Sequence, residues 1–388
     1  MEFFQRIIAA IVAFFMSIAA FLGIPVKKPI PVKNIQNVIY MIGDGMGENH
    51  LEKTKSERGV SLIMDTLPQK GYITTYSQTD ETTDSAAAGT ALACGIKTYN
   101  GAIGWYWFDA PESTYVEGDY PLNITTLCAS NGMKTGVITT DNTTGATPAA
   151  FTAHAPSRGN DMDIYAQQLA SGFDLIWGKA DSFTTAEEIT AAGYTYIDTI
   201  ESMNALTPGT KSFGQFNASL YHTYNSDEVT PTLSQMTEKA ISLLDGAASA
   251  EGEDPNNGFF LMIEGAHIDK KSHDNNSEKM TDALMEFDNA VAKAIEFAEA
   301  DGHTLVVVTA DHETGGLTLD AEGNYVFTTS DHTSANVPLR VYGPVEFVAN
   351  GEILDNTDVP KKIALALEFK PEAFPLKVND TQTTEPQG

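Results

Sequence analysis

Four short apolar runs, each broken off by an acidic residue or a glycine, constrain this chain more than any other feature. They are NVIYMIGDG (37–45), KTGVITTD (134–141), GFFLMIEGA (258–266) and TLVVVTADH (304–312). Three of them hold five or six apolar residues and KTGVITTD is a shorter run of mainly β-branched residues, all without the alternation of a half-exposed strand. Such runs read as strands of a parallel sheet buried on both faces. Between them lie longer stretches such as TLSQMTEKAISLLDG (232–246) and TDALMEFDNAVAKAIEFAEADG (281–302). Their apolar residues recur at steps of three and four, and the second stops at a glycine, so they read as helices. Strand alternating with helix predicts a doubly wound α/β fold. Open sheets of this kind place ligands at the carboxyl ends of their strands, and Asp44, Asp141, Glu264 and Asp311 all fall there. One acidic residue after a strand is as well explained by a helix N-cap; four converging on one edge, beside histidines, suggest a site.

The chain has 388 residues, with 52 Asp and Glu against 23 Lys and Arg, for a formal net charge of -29. A surplus of carboxylates this large repels phosphate backbones and anionic headgroups, which excludes nucleic-acid and electrostatic membrane partners for the chain as a whole. At 42% hydrophobic and 19% charged residues, the composition is that of a packed domain and not of a disordered one. Residues 1–24 differ from the rest, with an apolar stretch from Ile7 to Ile24 behind Arg6. They read as an export signal or an uncleaved N-terminal anchor, and place the remainder outside the cytoplasm. A linker is expected over 25–35, a catalytic domain over 36–370 with an elaborated surface segment at 173–231, and a polar tail over 371–388. Cys94 and Cys128 fit no metal or redox spacing and sit in apolar contexts; buried free thiols are expected, with a single disulfide as the alternative.

Asp269 and His273, four apart in IEGAHIDKKSH, would share one face of a helical turn and can grip one metal ion. Asp311 and His312 stand together at a strand end, and His332 follows in SDHTSANVPLRVYGP. Each fragment is weak alone. Ser85, in TDETTDSAAAGTALACG, follows the capping residues Thr82, Thr83 and Asp84 and opens an alanine-rich helix, where helical N–H groups favour a bound anion. By itself this would be an ordinary capped helix. Arg158, in ATPAAFTAHAPSR, offers a planar fork suited to two phosphoryl oxygens.

Together these fragments resemble the alkaline phosphatase family. The resemblance runs over residues 36 to 368 through MIGDGMG, TDSAAAGTA followed by KTYNGAIG, ATPAAFTAHAPSR, PTLSQMTEKAISLL, FFLMIEGAHIDKKSH, TLVVVTADHETGG and DHTSANVPLRVYGP, in the family's order. It implies a three-layer α/β/α architecture, hydrolysis of small phosphate monoesters, and a homodimer. It also implies that Asp269, His273 and His332 bind one zinc ion and that Asp44, Asp311 and His312 bind a second. A magnesium ion falls to Asp44, Thr147 and Glu264. Ser85 matches the nucleophile that becomes phosphorylated, Arg158 the residue that holds the phosphoryl group, Asp84 the residue that orients Arg158, and Lys270 a lysine beside the phosphate.

The chain departs from that pattern at Gly145, where family members commonly carry Asp or His. Glycine can neither recruit a metal nor hold the nearby lysine, so the magnesium ion is expected to bind loosely or to be held through Asp141 or Asn142. His267 and Thr314 occupy variable positions near the site. A sulfatase is disfavoured because Ser85 is followed by Ala-Ala-Ala and not by the context of a modified nucleophile. A phosphodiesterase of the same architecture, and a non-catalytic metal- or phosphate-binding protein, remain as alternatives.

Overall fold

The computed structural model describes residues 34–107, 119–217, 219–222, 230–250, 252–254 and 257–370. The expected signal or anchor (1–24), most of the expected linker and the expected tail (371–388) lie outside the described residues. Fourteen strands are labelled in chain order. β1 is Asn37–Gly43, β2 Gln69–Thr74, β3 Lys134–Asn142, β4 Leu175–Lys179, β5 Thr195–Ile197, β6 Ser212–Phe216 and β7 Phe259–Gly265. β8 is Thr304–Thr309, β9 Glu313–Thr314, β10 Thr318–Leu319, β11 Tyr325–Val326, β12 His332–Thr333, β13 Val337–Tyr342 and β14 Ile353–Asp355.

Ten of them form one sheet in the order β14-β2-β13-β8-β1-β7-β3-β4-β6-β5. β1 lies parallel between β7 and β8, β3 continues parallel from β7, and β13 is antiparallel to both β2 and β8. All four expected strands therefore sit side by side in the centre, and every residue of β1, β7 and β8 is buried. Strands buried on both faces need a helical layer on each. The helices Glu48–Arg58, Leu233–Ala248 and Ser277–Asp301 form one layer, and Ser85–Cys94, Ile124–Ser130, Ala146–Ala150 and Asp358–Ala366 form the other. The helix Ser277–Asp301 ends where the sequence pattern stops, at Gly302 in the left-handed conformation (φ 76°). Its fully buried Phe287 packs so closely on the sheet that a Cβ on Gly265 would lie 2.7 Å from the ring. That contact seats the carboxyl ends of β1 and β7.

Two expectations need correction. The segment 173–231 is no mere surface elaboration: it supplies β4, β5 and β6, which extend the sheet in parallel. LIWGK and SFGQF are short and interrupted by glycine, so they lack the long apolar signal of the central strands, yet Trp177, Phe213 and Phe216 are fully buried. The indole of Trp177 donates to Ser212 Oγ at 3.0 Å. The linker also ends early, because Ile35 is already part of the core. Cys94 and Cys128 are buried and form no disulfide, as expected. Among the described residues no helix is long and apolar enough to cross a membrane.

Candidate active site

The site residues come from the carboxyl ends of the four central strands. β1 runs directly into Asp44, β3 carries Asp141, β7 carries Glu264, and β8 is followed by Asp311 and His312. The chain then turns. After β7 it forms the helix His267–His273, which presents Asp269 and His273 from one face. After β8 the two-residue strand β9 pairs with β12, and register His332↔Thr314 brings His332 back beside the sheet edge. Two groups of three ligand-type side chains result, Asp269 with His273 and His332, and Asp44 with Asp311 and His312; within each the ligand atoms lie within 4.8 Å of one another. These are the two groups expected from the sequence.

The first triad is arranged for a cation. His332 Nδ1 lies 2.9 Å from the Thr83 carbonyl oxygen and His273 Nδ1 lies 2.5 Å from that of Ser330. A carbonyl only accepts, so both Nδ1 atoms carry protons and both Nε2 atoms point inward, as lone pairs in the neutral rings and as second N–H donors once a ring is protonated. Those two Nε2 atoms are 3.1 Å apart, and they lie 3.2 and 3.5 Å from Asp269 Oδ1. In the neutral rings two facing lone pairs beside a carboxylate would repel, so the triad needs positive charge, from protons on the rings or from a bound cation. The same demand appears as the hydrogen bond to Asp269 lifting the His273 imidazole to about 9. Burial opposes charge on Asp269, but the hydrogen bonds from His273 and His332 outweigh it and hold the carboxyl well below its usual range.

In the second triad His312 Nε2 is 3.3 Å from Asp311 Oδ2 and 3.5 Å from Asp44 Oδ1. Asp311 and His312 are wholly buried, and both of those carboxylate oxygens are buried without a hydrogen-bond partner. Burial and then the neighbouring Asp311, Asp269 and Glu264 raise the Asp44 carboxyl well above its usual range. Unpaired buried carboxylates are costly, and divalent ions are the ordinary compensation. The two triads share a hydroxyl. Thr314 Oγ1 donates to Asp269 Oδ1 at 2.5 Å, so its 3.3 Å contact with His312 Nδ1 accepts the ring proton. That leaves His312 Nε2 as the acceptor facing the site. The sequence placed Thr314 nearby without revealing this bridge, since nothing in ADHETGG says which way a hydroxyl points.

Glu264 is buried at the end of β7. Burial and then Asp141 push its carboxyl up to about 8, against the hydroxyls of Thr139 and Thr147 and the ammonium of Lys270. Thr139 is hydrogen-bonded to it from the adjacent strand. Thr147, in the short helix Ala146–Ala150, has a buried hydroxyl near Glu264 that makes no hydrogen bond of normal geometry. Lys270 pairs with Asp141. His267 has both ring nitrogens shielded from solvent and makes no hydrogen bond of normal geometry, the Thr140 backbone being a polar contact; its ring meets Tyr221 edge-on, and burial drives its imidazole down to about 3.

Ser85 is the first residue of the helix Ser85–Cys94, capped by Asp84, whose Oδ1 accepts from the Ala87 N–H at 3.0 Å. The Ser85 hydroxyl lies 3.1 Å from His312 Nε2, which places it against the second triad. The other oxygen of Asp84 accepts from Gly101 N at 3.0 Å and from Arg158 Nη1 at 3.3 Å. One carboxylate thus caps the helix and steers the guanidinium, and about half of the Arg158 side chain remains open to solvent, free to take a ligand. A second buried network escaped the sequence reading. Glu313 accepts from the N–H groups of Gly316 and Leu317 and from Thr333, next to His332, and stands 3.9 Å from the buried His50. Its place beside Asp311-His312 was the available signal.

A family model described as alkaline phosphatase matches residues 35–180 and 178–336. Alkaline phosphatase 4 of Bacillus subtilis is 34% identical over 318 residues, covering 74% of this chain and 64% of that protein, just under two thirds of its length. The alkaline phosphatase of Escherichia coli K12 is 30% identical over 428 residues, covering 87% of each chain. Among solved structures, alkaline phosphatase from the Antarctic bacterium TAB5 superposes with a TM-score of 0.71 at 31% identity, covering 88% of this chain and 100% of that one. A form of that enzyme with a histidine replaced by glutamate is described with Mg bound in its M3 site. With strand-end ligands, paired triads and a serine at a helix start already in place, these similarities have one reading: the chain belongs to the alkaline phosphatase family of phosphomonoester hydrolases.

Proposed function

We propose that this chain hydrolyses small phosphate monoesters to an alcohol and inorganic phosphate, with Ser85 as the nucleophile and transfer to acceptor alcohols as a side reaction. The observation that carries this reading is the position of Ser85 Oγ. It sits at a helix start, 3.1 Å from His312 Nε2, one residue from the carboxylate that holds Arg158. The Ser85 hydroxyl gives up its proton to solvent, its oxygen attacks phosphorus in line with the leaving oxygen, and a phosphoserine forms as the P–O ester bond breaks and the departing alkoxide takes up a proton to leave as the alcohol. Water then attacks the phosphoserine from the side the alcohol has left and returns Ser85. Arg158 grips two of the non-bridging oxygens, and the first-turn N–H groups of the helix add positive potential.

The donor sets fit divalent metals. Asp269, His273 and His332 would hold one zinc ion, Asp44, Asp311 and His312 another, and Asp44, Thr147 and Glu264 a magnesium ion. When bound, such ions supply charge compensation, activation of the attacking oxygen and stabilisation of the leaving oxygen. Lys270, beside Asp141 and Glu264, adds a further positive group for the phosphate. The Arg158 fork favours monoesters over diesters, whose second ester group would occupy one of the oxygens it grips. An extracytoplasmic location, with any membrane attachment confined to residues 1–24, is proposed on the apolar N-terminal stretch. A homodimer is proposed on the family likeness alone.

The test is turnover of p-nitrophenyl phosphate by the chain lacking its first 24 residues, together with its metal content. Ser85→Ala, which leaves the Asp84 cap intact, is expected to abolish turnover with zinc still bound. Retention of most of the activity would remove Ser85 from the reaction. Turnover of the bis-ester above that of the monoester would favour the diesterase reading.

A further inference from the structure

At Gly145 the chain lacks a side chain next to Thr147, and the structure has put another residue in that space. A Cβ built on Gly145 would lie 2.9 Å from Asp141 Oδ2 and 3.3 Å from its Cγ. The Asp141 carboxylate therefore lies where a side chain on residue 145 would begin, and the two positions compete for one volume. Asn142, the other candidate, is committed elsewhere: its amide nitrogen is hydrogen-bonded to Asp181 and to the Ala180 carbonyl, and Asp181 is held in turn by Thr144. Asp141 points the opposite way and pairs with Lys270. Its backbone N–H is anchored at 2.8 Å on Thr139 Oγ1, the same hydroxyl that bonds Glu264. Gly145 completes the frame, since its N–H closes a turn on the Asn142 carbonyl at 2.9 Å and it serves as the N-cap of the helix that carries Thr147.

We propose that Asp141 is a positioning residue that replaces the missing side chain at residue 145, holding Lys270 towards the phosphoryl group and forming the acidic wall of the magnesium site made by Asp44, Thr147 and Glu264. This rests on the phosphatase reading given above. Lys270 is long, partly exposed, and drawn to any of the strand-end carboxylates; burial works against its charge, while Asp141 first and then Glu264 and Asp44 restore it. Only Asp141 is in ion-pair contact among the described residues, so it alone fixes where the ammonium rests. A glycine at 145 is then a requirement of this arrangement and not a defect.

The test uses zinc-saturated protein and reads magnesium binding by calorimetry, with kcat and KM for p-nitrophenyl phosphate and inhibition by inorganic phosphate measured in parallel. Asp141→Ala and the volume-conserving Asp141→Asn are expected to weaken magnesium binding at least tenfold and to raise the inhibition constant for phosphate at least fivefold. Gly145→Asp alone, with both carboxylates competing for the space, is expected to weaken magnesium binding as well. The exchange Asp141→Gly with Gly145→Asp is expected to recover most of it. Magnesium binding unchanged in both Asp141 variants would overturn the proposal, as would an exchange no better than Asp141→Ala. Inactive wild-type protein that still binds magnesium in an Asp141-dependent way would instead overturn the phosphatase reading and leave this assignment standing.

Discussion

Thr314→Val is the sharpest test of how the two triads are coupled. Valine has nearly the shape of threonine, and residue 314 is fully buried, so the substitution removes a hydroxyl and little else. The lost group donates to Asp269 Oδ1 at 2.5 Å and accepts from His312 Nδ1–H at 3.3 Å. Without it, Asp269 loses a donor to a charged oxygen, and the His312 N–H is left buried with nothing to accept it. Each buried group left unsatisfied costs about 1–3 kcal/mol, the ionised acceptor nearer the upper end. The imidazole has an escape, which is to move its proton to Nε2. That tautomer satisfies Asp311 or Asp44 but withdraws the lone pair that faces Ser85 and any ion in the second triad. Removing a partner that orients a ligand typically lowers metal affinity ten- to a hundredfold. Competition against a chromophoric chelator, with zinc as the titrant, should show this loss in Thr314→Val, and Thr314→Ser should recover most of it because the hydroxyl is kept. Zinc binding by Thr314→Val equal to wild type would refute the bridging role, and failure of serine to recover binding would show that the hydroxyl alone does not suffice and that the methyl group, which valine keeps, is also needed to hold it in place.

Arg158→Lys keeps the charge but removes the fork, so KM for p-nitrophenyl phosphate should rise about tenfold, roughly 1.4 kcal/mol, with melting temperature unchanged; an unchanged KM would mean the guanidinium does not hold the substrate. Gly45 has φ +74°, and a Cβ there would lie 2.8 Å from the Asp269 backbone and from Thr314 Oγ1. Gly45→Ala should therefore cost at least about 1–2 kcal/mol from backbone strain alone and should also reduce bound metal; a variant of wild-type melting temperature and full metal content would contradict the packing described. Asp288 accepts from the Ile63 and Met64 N–H groups, and burial pushes its carboxyl up to about 6. A carboxyl whose folded value lies above its unfolded one near 4 takes up a proton on folding between those values, so its contribution to stability falls as pH rises from about 4 to 6. The full effect is at most about 3 kcal/mol. The stability gap between wild type and Asp288→Asn, measured by urea unfolding, should shift in the variant's favour across that window, and a gap independent of pH would remove the assignment.

The central sheet was legible because its strands are buried on both faces, and burial on both faces leaves an uninterrupted apolar run. Asp44, Glu264 and Asp311 were legible for the same reason: a charged residue ending such a run must be at the sheet edge. Asp269 and His273 could be paired from helical periodicity. What could not be read was anything fixed by return of the chain from a distance. His332 reaches the first triad only because β12 pairs with β9, two residues long and without a pattern of its own. β4 and β6 hide behind glycines, and the antiparallel β13 looks like any other apolar run. Asp141 was seen as an acidic strand end, but whether it or Asn142 made up for Gly145 depended on which way two adjacent side chains turned. Strand alternation would turn them oppositely, but the register of β3 shifts between Ile138 and Asn142, and alternation in any case does not say which faces the site.

The charge of the chain poses a last problem. A net charge of -29 repels the phosphate that the site must bind, and the strand-end and helix carboxylates Asp44, Glu264, Asp269 and Asp311 are buried where repulsion is least screened. The formal figure nonetheless overstates the field at the site, because those four are the groups divalent ions would neutralise. Attraction of the substrate then depends on what lies within a few ångströms: the Arg158 fork, the Lys270 ammonium and the N-terminal end of the helix Ser85–Cys94. Both cations are paired to a carboxylate, Arg158 with Asp84 and Lys270 with Asp141, yet each keeps between a third and a half of its side chain open to solvent. The carboxylates aim the cations without covering them. A chain with so few basic residues has few to misdirect, and an acidic partner behind each site cation keeps it from collapsing onto the buried carboxylates Asp44, Glu264, Asp269 and Asp311.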